Sequence, residues 1–256
     1  MKDEFKLLNK FLIDDLEREQ EIIKLIKEAD RTRFNSMKVN WLDALWYRNE
    51  IIALGNLLIE INIEDAKQRF YLSGRLSESM VIECDSDYII EAAYHRMAYA
   101  LVSDNQALIQ RYAHLKDSKY TKHIEKASLV VTMQFALQEN WEELQNMMDR
   151  FDFLIEKRKE KWRVPDRKFF MGLLNQNQSQ MEDALHELVS KRVHSIRNRY
   201  IGEVIRHFVS HPALGYAKLA WLKGYEVQVD SPLIPKQLLP VCPLDQYKEY
   251  DFLSKP

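Results

Sequence analysis

The 256 residues are 46% hydrophobic and 30% charged, with a net charge of −2. That balance suits one large or two small globular domains, and it excludes a disordered chain and a general nucleic-acid binder, which needs a basic stripe. Two cysteines, Cys84 and Cys242, exclude a disulfide framework. No apolar run approaches a membrane span, and the opening MKDEFKLLNK lacks the apolar stretch of a secretory signal, so a reduced cytoplasmic setting and no membrane partner are expected.

Only Pro165 and Pro212 interrupt residues 1–231; the other five prolines (Pro232, Pro235, Pro240, Pro243, Pro256) follow. Long proline-free tracts rich in Leu, Ile, Ala, Glu and Lys read as helix. The first spans about Lys2 to Ala29, where Phe5, Leu8, Leu12, Leu16, Ile23 and Ile26 fall on one helical face. Asn40 is placed to cap a helix over WLDALWYRNEIIALGNLLIEI. Asn62, with Asp65 three residues on, caps the next, and Asp87 opens another that carries Ile89, Ala93, Met97 and Ala100.

Three capping-box-like pairs then recur: Ser103 with Gln106, Asn140 with Glu143, and Ser179 with Glu182. An apolar helix precedes each and an amphipathic one follows. The unit is a helical hairpin, stacked either as a repeat array or as an irregular bundle. The charge-dense break EKRKEKWRVPDRK, residues 156–168, is an exposed connector and a possible subdivision. About ten helices in one all-α domain over 1–256 are expected. The tail beyond residue 230 is too aromatic, with Tyr247, Tyr250, Phe252 and Leu253, to be disordered, and docks on the helices.

Phe208 to Leu239 reads FVSHPALGYAKLAWLKGYEVQVDSPLIPKQLL. Pro212 suits the first helical position and Gly224 the left-handed residue past the end. The helix between them is apolar nearly all round, so it belongs in the middle of the domain. Tyr225, Val227 and Val229 then alternate with polar residues, the period of a short strand-like segment. HPALGYAKLAWLKGYEV followed by DSPLIPKQLLP resembles the C-terminal signature of the immunity protein 49 family. The resemblance implies an all-helical bacterial protein, encoded beside a secreted toxin, that binds the toxin in the cytoplasm and neutralises it without catalysis, metal or cofactor.

The residues offer little chemistry of their own. Glu91-x3-His95, Glu203-x3-His207 and Asp183-x-x-His186 miss the paired Glu-x-x-His pattern of di-iron bundles. Cys84 follows an apolar run, as a buried small hydrophobe does. Arg206 and His211 resemble the Arg-x4-His motif of the all-helical HEPN ribonucleases, in which the His would serve as general acid or base and the Arg would stabilise charge. A helical-repeat adaptor is the remaining alternative.

Charge is uneven: residues 1–90 carry 13 bases and 18 acids, whereas residues 91–165 carry 12 and 11. Two acidic stretches lack any base. One holds Glu78, Glu83, Asp85, Asp87 and Glu91, the other Glu139, Glu142, Glu143 and Asp149. Charged helix faces are ordinarily solvated. In an inhibitor they would also steer and anchor a basic partner, with Trp141 as an aromatic anchor. Trp41, Trp46 and Trp162 are further contact candidates, and Trp221 is expected in the core.

Overall fold

The computed structural model describes residues 2–199, 201–202 and 204–253. Among these the chain forms thirteen α-helices and no strand: α1 Lys2–Glu28, α2 Arg31–Leu58, α3 Ile63–Cys84, α4 Asp87–Glu91, α5 Tyr94–Val102, α6 Gln106–His114, α7 Tyr120–Glu125, α8 Leu129–Leu137, α9 Trp141–Ile155, α10 Val164–Leu174, α11 Gln178–Val189, α12 Lys191–Arg197 and α13 His211–Leu222. Three 3-10 turns add Arg158–Arg163, Ile205–His207 and Lys236–Leu238. It is a single all-α domain; the helices beyond the expected ten are the short α4, α7 and α12.

The middle of the domain is α5, between α3 on one side and α13 on the other. Small residues set both distances. A Cβ placed on Gly215 of α13 would lie 2.9 Å from Ala98 Cβ, and one on Gly74 of α3 would lie 3.3 Å from Ala100 Cβ and 2.7 Å from Leu108 Cδ2. Alanine or glycine on both partners lets the axes approach. Phe70, Tyr99, Phe169 and Tyr216, each fully buried, then fill the space around them. Phe151 and Phe169, either side of the charged connector, belong to the same hydrophobic core.

Three hairpins share one turn. Each first helix ends in a left-handed residue, Asp104 (φ 60°), Glu139 (φ 57°) or Gln176 (φ 53°). The next residue is asparagine, whose side chain caps the following helix: Asn105 accepts from Leu108 N–H, Asn140 from Glu143 N–H and Asn177 from Gln180 N–H. In the last two the asparagine N–H also closes the preceding helix on Phe135 and Gly172 carbonyls, as in a Schellman motif. The structure thus corrects two of the three expected caps by two residues. Ser103 instead ends α5, its hydroxyl donating to Ala100 O at 2.7 Å, and Ser179 lies inside α11.

Four other boundaries differ from expectation. The second long helix starts at Arg31, capped by Asp30; Asn40 is interior, because the polar stretch before Trp41 continues the helix without burying a face. Asp87 opens only α4, since Ala92 and Ala93 break the run before α5. α13 begins one residue before Pro212, with Gly224 left-handed (φ 84°) as anticipated. Finally, 225–229 forms no strand, although Val227 and Val229 are buried. Side chains serve its backbone instead: Gln228 N–H donates to Glu182, and Glu226 O and Val227 O accept from Gln178 and Trp221.

The tail crosses α3 and α2 up to Leu253; residues 254–256 lie outside the described part. Lys67 donates to Cys242 O, Gln68 and Lys248 exchange hydrogen bonds, and Tyr250 OH bonds Glu19 while accepting from Asn49. Beneath it, Lys218 is fully buried. It pairs with Asp104 at 2.5 Å and donates to the carbonyls of Leu238, Leu239 and Pro240. Burial pushes this ammonium down to about 8, against the pull of Asp104.

Candidate functional site

The two acidic stretches have different surroundings. In the first, Glu78 is 1% exposed, so it is no part of a contact surface. It sits between Arg75 and Arg111, the latter at 2.6 Å, because a buried carboxylate must be paired. Glu83 pairs with Lys38, Asp87 with Lys119 and Glu91 with Lys126. Asp85 accepts from both the backbone and the hydroxyl of Ser118 at 2.9 and 2.5 Å. These hydrogen bonds hold the Asp85 and Asp87 carboxyls below the usual range, Asp85 through Ser118 and Asp87 through Lys119. The chain neutralises this stretch itself, with bases from α2, α6 and the two ends of α7.

The second stretch lies along α9. Asn140 caps the helix, and Leu144, Met147, Met148 and Phe151 turn inward and are fully buried. The opposite face carries Trp141, Gln145, Asp149 and Phe153, each four residues after the last and therefore in one row. Trp141 is 42% and Phe153 62% exposed. Glu142 and Asn146 flank the row, and both are exposed. Asp149 accepts from Gln145 at 3.1 Å. Among the described residues Glu142, Glu143 and Asp149 have no ion-pair partner, whereas Glu139 pairs with Lys223 at 2.9 Å. An open groove of 860 Å³ beside this face is lined by three carboxylates, Glu125, Glu143 and Asp149, and by three bases, Lys126, Arg150 and Lys157, with Lys157 Nζ 4.4 Å from the Phe153 ring centroid. The helix dipole adds nothing repulsive at its start, where Glu142 and Glu143 sit against the positive end.

Phe153 is the functional candidate that sequence reading missed. Its signal is there in the row: a large apolar residue twelve after Trp141 on the polar face, while Phe151 takes the buried one. Of the other tryptophans, Trp41 and Trp46 are buried at 7% and 1% and offer no contact. Trp162 and Trp221 are half-buried, so Trp221 is only partly a core residue. Cys84 is likewise only half-buried, with burial raising its thiol.

The ribonuclease-like pair does not form a site. His211 is 0% exposed; its Nε2 is 2.7 Å from Tyr99 OH and 3.1 Å from Glu50 Oε1. It holds α13 to α5 and α2 and has no access to a phosphodiester. Of the metal-like pairs, His95 is buried against Trp46 and His211, Glu91 and Asp183 bond lysines, and Glu203 lies outside the described residues. No group of three or more metal-ligating side chains exists among the described residues, and none of their helices is long and apolar enough to cross a membrane.

The fold and this surface define an all-helical protein with an open, aromatic and acidic helix face. The sequence model of the immunity protein 49 family matches residues 73–238, from α3 to the last 3-10 turn. The chain belongs to that family. No curated protein and no solved structure matches it.

Proposed function

We propose that this protein binds a cognate toxin in the cytoplasm and neutralises it by stoichiometric occlusion, with no chemistry of its own. The membership of residues 73–238 in an immunity family supports the class of function. The observation that carries the surface is the outward face of α9, where two exposed aromatic side chains share a row with Asp149 and lie beside Glu142, neither of which has an ion-pair partner among the described residues. Aromatic anchors supply contact area with few rotors to freeze. Unpaired carboxylates attract a basic partner and fix its register. Glu83, Asp85, Asp87 and Glu91 are a poorer surface, because a partner would first have to displace Lys38, Ser118, Lys119 and Lys126.

Rigidity is the other requirement, since ordering on binding subtracts from affinity. α9 is fixed by its asparagine cap, by four buried side chains and by α8 and α10 on either side. The test is co-expression with the toxin encoded beside it. Wild type and Glu83→Lys/Asp87→Lys protect the cell, whereas Trp141→Ala/Glu142→Lys/Asp149→Lys, folded by circular dichroism, does not. Full protection by the triple variant removes the surface; no protection by wild type removes the function.

A further inference from the structure

A second feature lies apart from the aromatic row of α9. A cleft of 530 Å³ is bounded by the α4–α5 junction, the start of α8, the 3-10 turn at Arg158–Arg163 and the end of α12. This is the size of a small-ligand site. Its charge is one-sided. Lys126, Lys159, Arg163 and Arg197 line it with a single carboxylate, Glu91, which is bonded to Lys126.

Two independent features of the wall carry donors without an acceptor. The first is Arg197, whose side chain is 2% exposed. Its Nη1 donates to Asp166 Oδ2 at 2.6 Å, and its guanidinium packs against Trp162 and Tyr94, 4.7 and 5.2 Å from their ring centroids. Nη2 is buried and has no hydrogen-bond partner. A buried guanidinium donor left without an acceptor is a rare condition that a ligand relieves. The second is the N-terminus of α8, a nine-residue helix whose first residues, Ser128 to Val130, form part of the wall. The Ser128 hydroxyl accepts from Val130 and Val131 N–H. Leu129 N–H has no acceptor within the helix, and the positive end of the helix dipole lies at the cleft.

We propose that this cleft is an oxyanion site that takes a phosphate-sized tetrahedral anion. Arg197 and the start of α8 supply donors from different directions, which suits a tetrahedral group better than a planar carboxylate. Lys159, exposed and without an ion-pair partner among the described residues, and Arg163, held by Ala127 O and Glu160, neutralise the charge. Trp162 is already engaged by the guanidinium groups of Arg163 and Arg197, so the wall offers charge and donors and no stacking platform for a base. Occupancy ties α8, the connector and α12 together.

The experiment is a calorimetric and thermal-melting titration of the whole protein with sodium phosphate, against sodium chloride at equal ionic strength. Saturable one-site binding and a melting point that rises with the logarithm of phosphate concentration are expected. Lys159→Glu, at the exposed rim, weakens binding at least about tenfold. Arg197→Lys keeps a charge beside Asp166, removes Nη2 and abolishes binding. Lys159→Glu disturbs no buried contact, so it stays decisive if Arg197→Lys fails to fold. Lys236→Glu, paired only with Asp230, serves as the control and binds as wild type. Phenyl phosphate in a parallel titration separates the two sources of the anion: binding as tight as inorganic phosphate assigns the site to phosphomonoesters, and exclusion assigns it to the free ion. No saturable binding by either probe, or equal binding by Lys159→Glu, overturns the proposal.

Discussion

The acidic segment of α3–α4 and the acidic face of α9 look alike in sequence: each is a base-free run of carboxylates on a helix. In the fold they are opposites. Every carboxylate of the first is answered by a group from elsewhere in the chain, whether Arg111, Lys38, Ser118, Lys119 or Lys126. In the second run only Glu139, at the turn, has such an answer among the described residues, and Glu142, Glu143 and Asp149 lie without an ion-pair partner beside Trp141 and Phe153. A run of charge is therefore a candidate contact surface only when the rest of the chain leaves it unanswered, and that depends on partners tens of residues away.

The contrast can be broken from the buried side first. Glu78→Ala takes from the buried Arg75 one of its two carboxylates, leaving Glu249, and removes the carboxylate bonded to Arg111; breaking a buried ion pair costs up to about 3–5 kcal/mol. Urea unfolding reads this as a lower midpoint, while the fraction that remains folded binds toxin as wild type does. An equal loss from Glu142→Ala would erase the difference between the two regions. Trp141→Ala has the reverse signature: a loss of about 2 kcal/mol in toxin affinity, with fold stability within about 0.5 kcal/mol of wild type.

Acid titration between pH 7 and 5 sharpens the comparison, because the histidines that respond lie elsewhere and α9 holds none. His95 is buried, and desolvation, with His211 and Arg96 nearby, holds its imidazole well below the ordinary 6.5; His194 is lowered as well, chiefly by burial. The folded state thus prefers both neutral, while the unfolded chain takes up protons below 6.5. Their contribution is whole above that pH and is lost as pH falls toward the depressed folded values, by up to about 1.4 kcal/mol per pH unit for each group. Melting points between pH 7 and 5 fall accordingly, and His95→Gln flattens the slope. The smallest effect is Asn140→Ala, which removes the α9 cap at a cost of about 1 kcal/mol. It frays the turn that carries Trp141 and Glu142, so a modest loss of toxin affinity accompanies it, whereas Asn177→Ala costs the same stability and no affinity.

These particulars show how far the sequence can be read. Most of the periodicity along α1, the Asn62 cap and the Gly224 end of α13 are local signals, and the fold obeys them; Leu16 is the exception on α1, 41% exposed while Asp15 and Glu19 are buried. The caps at Ser103 and Ser179 failed because a capping-box pattern competes with a turn of equal strength two residues away, a left-handed Asp104 or Gln176 followed by asparagine. The pattern survives at Glu139-Asn140, where both signals coincide. Glu78 looked solvated because its partner Arg111 comes 33 residues later. The same non-locality hid the buried Lys218–Asp104 pair and the docking of Tyr250 on Glu19, 231 residues away.

The most direct test of the account is a calorimetric titration of the proposed cognate toxin into wild type and into Glu142→Lys/Asp149→Lys, at low and at high salt. The account predicts one-to-one binding, an affinity for wild type that falls as salt screens the carboxylates, and a charge-reversed variant that folds normally but binds weakly at either salt. A variant that binds as tightly as wild type at low salt would contradict it.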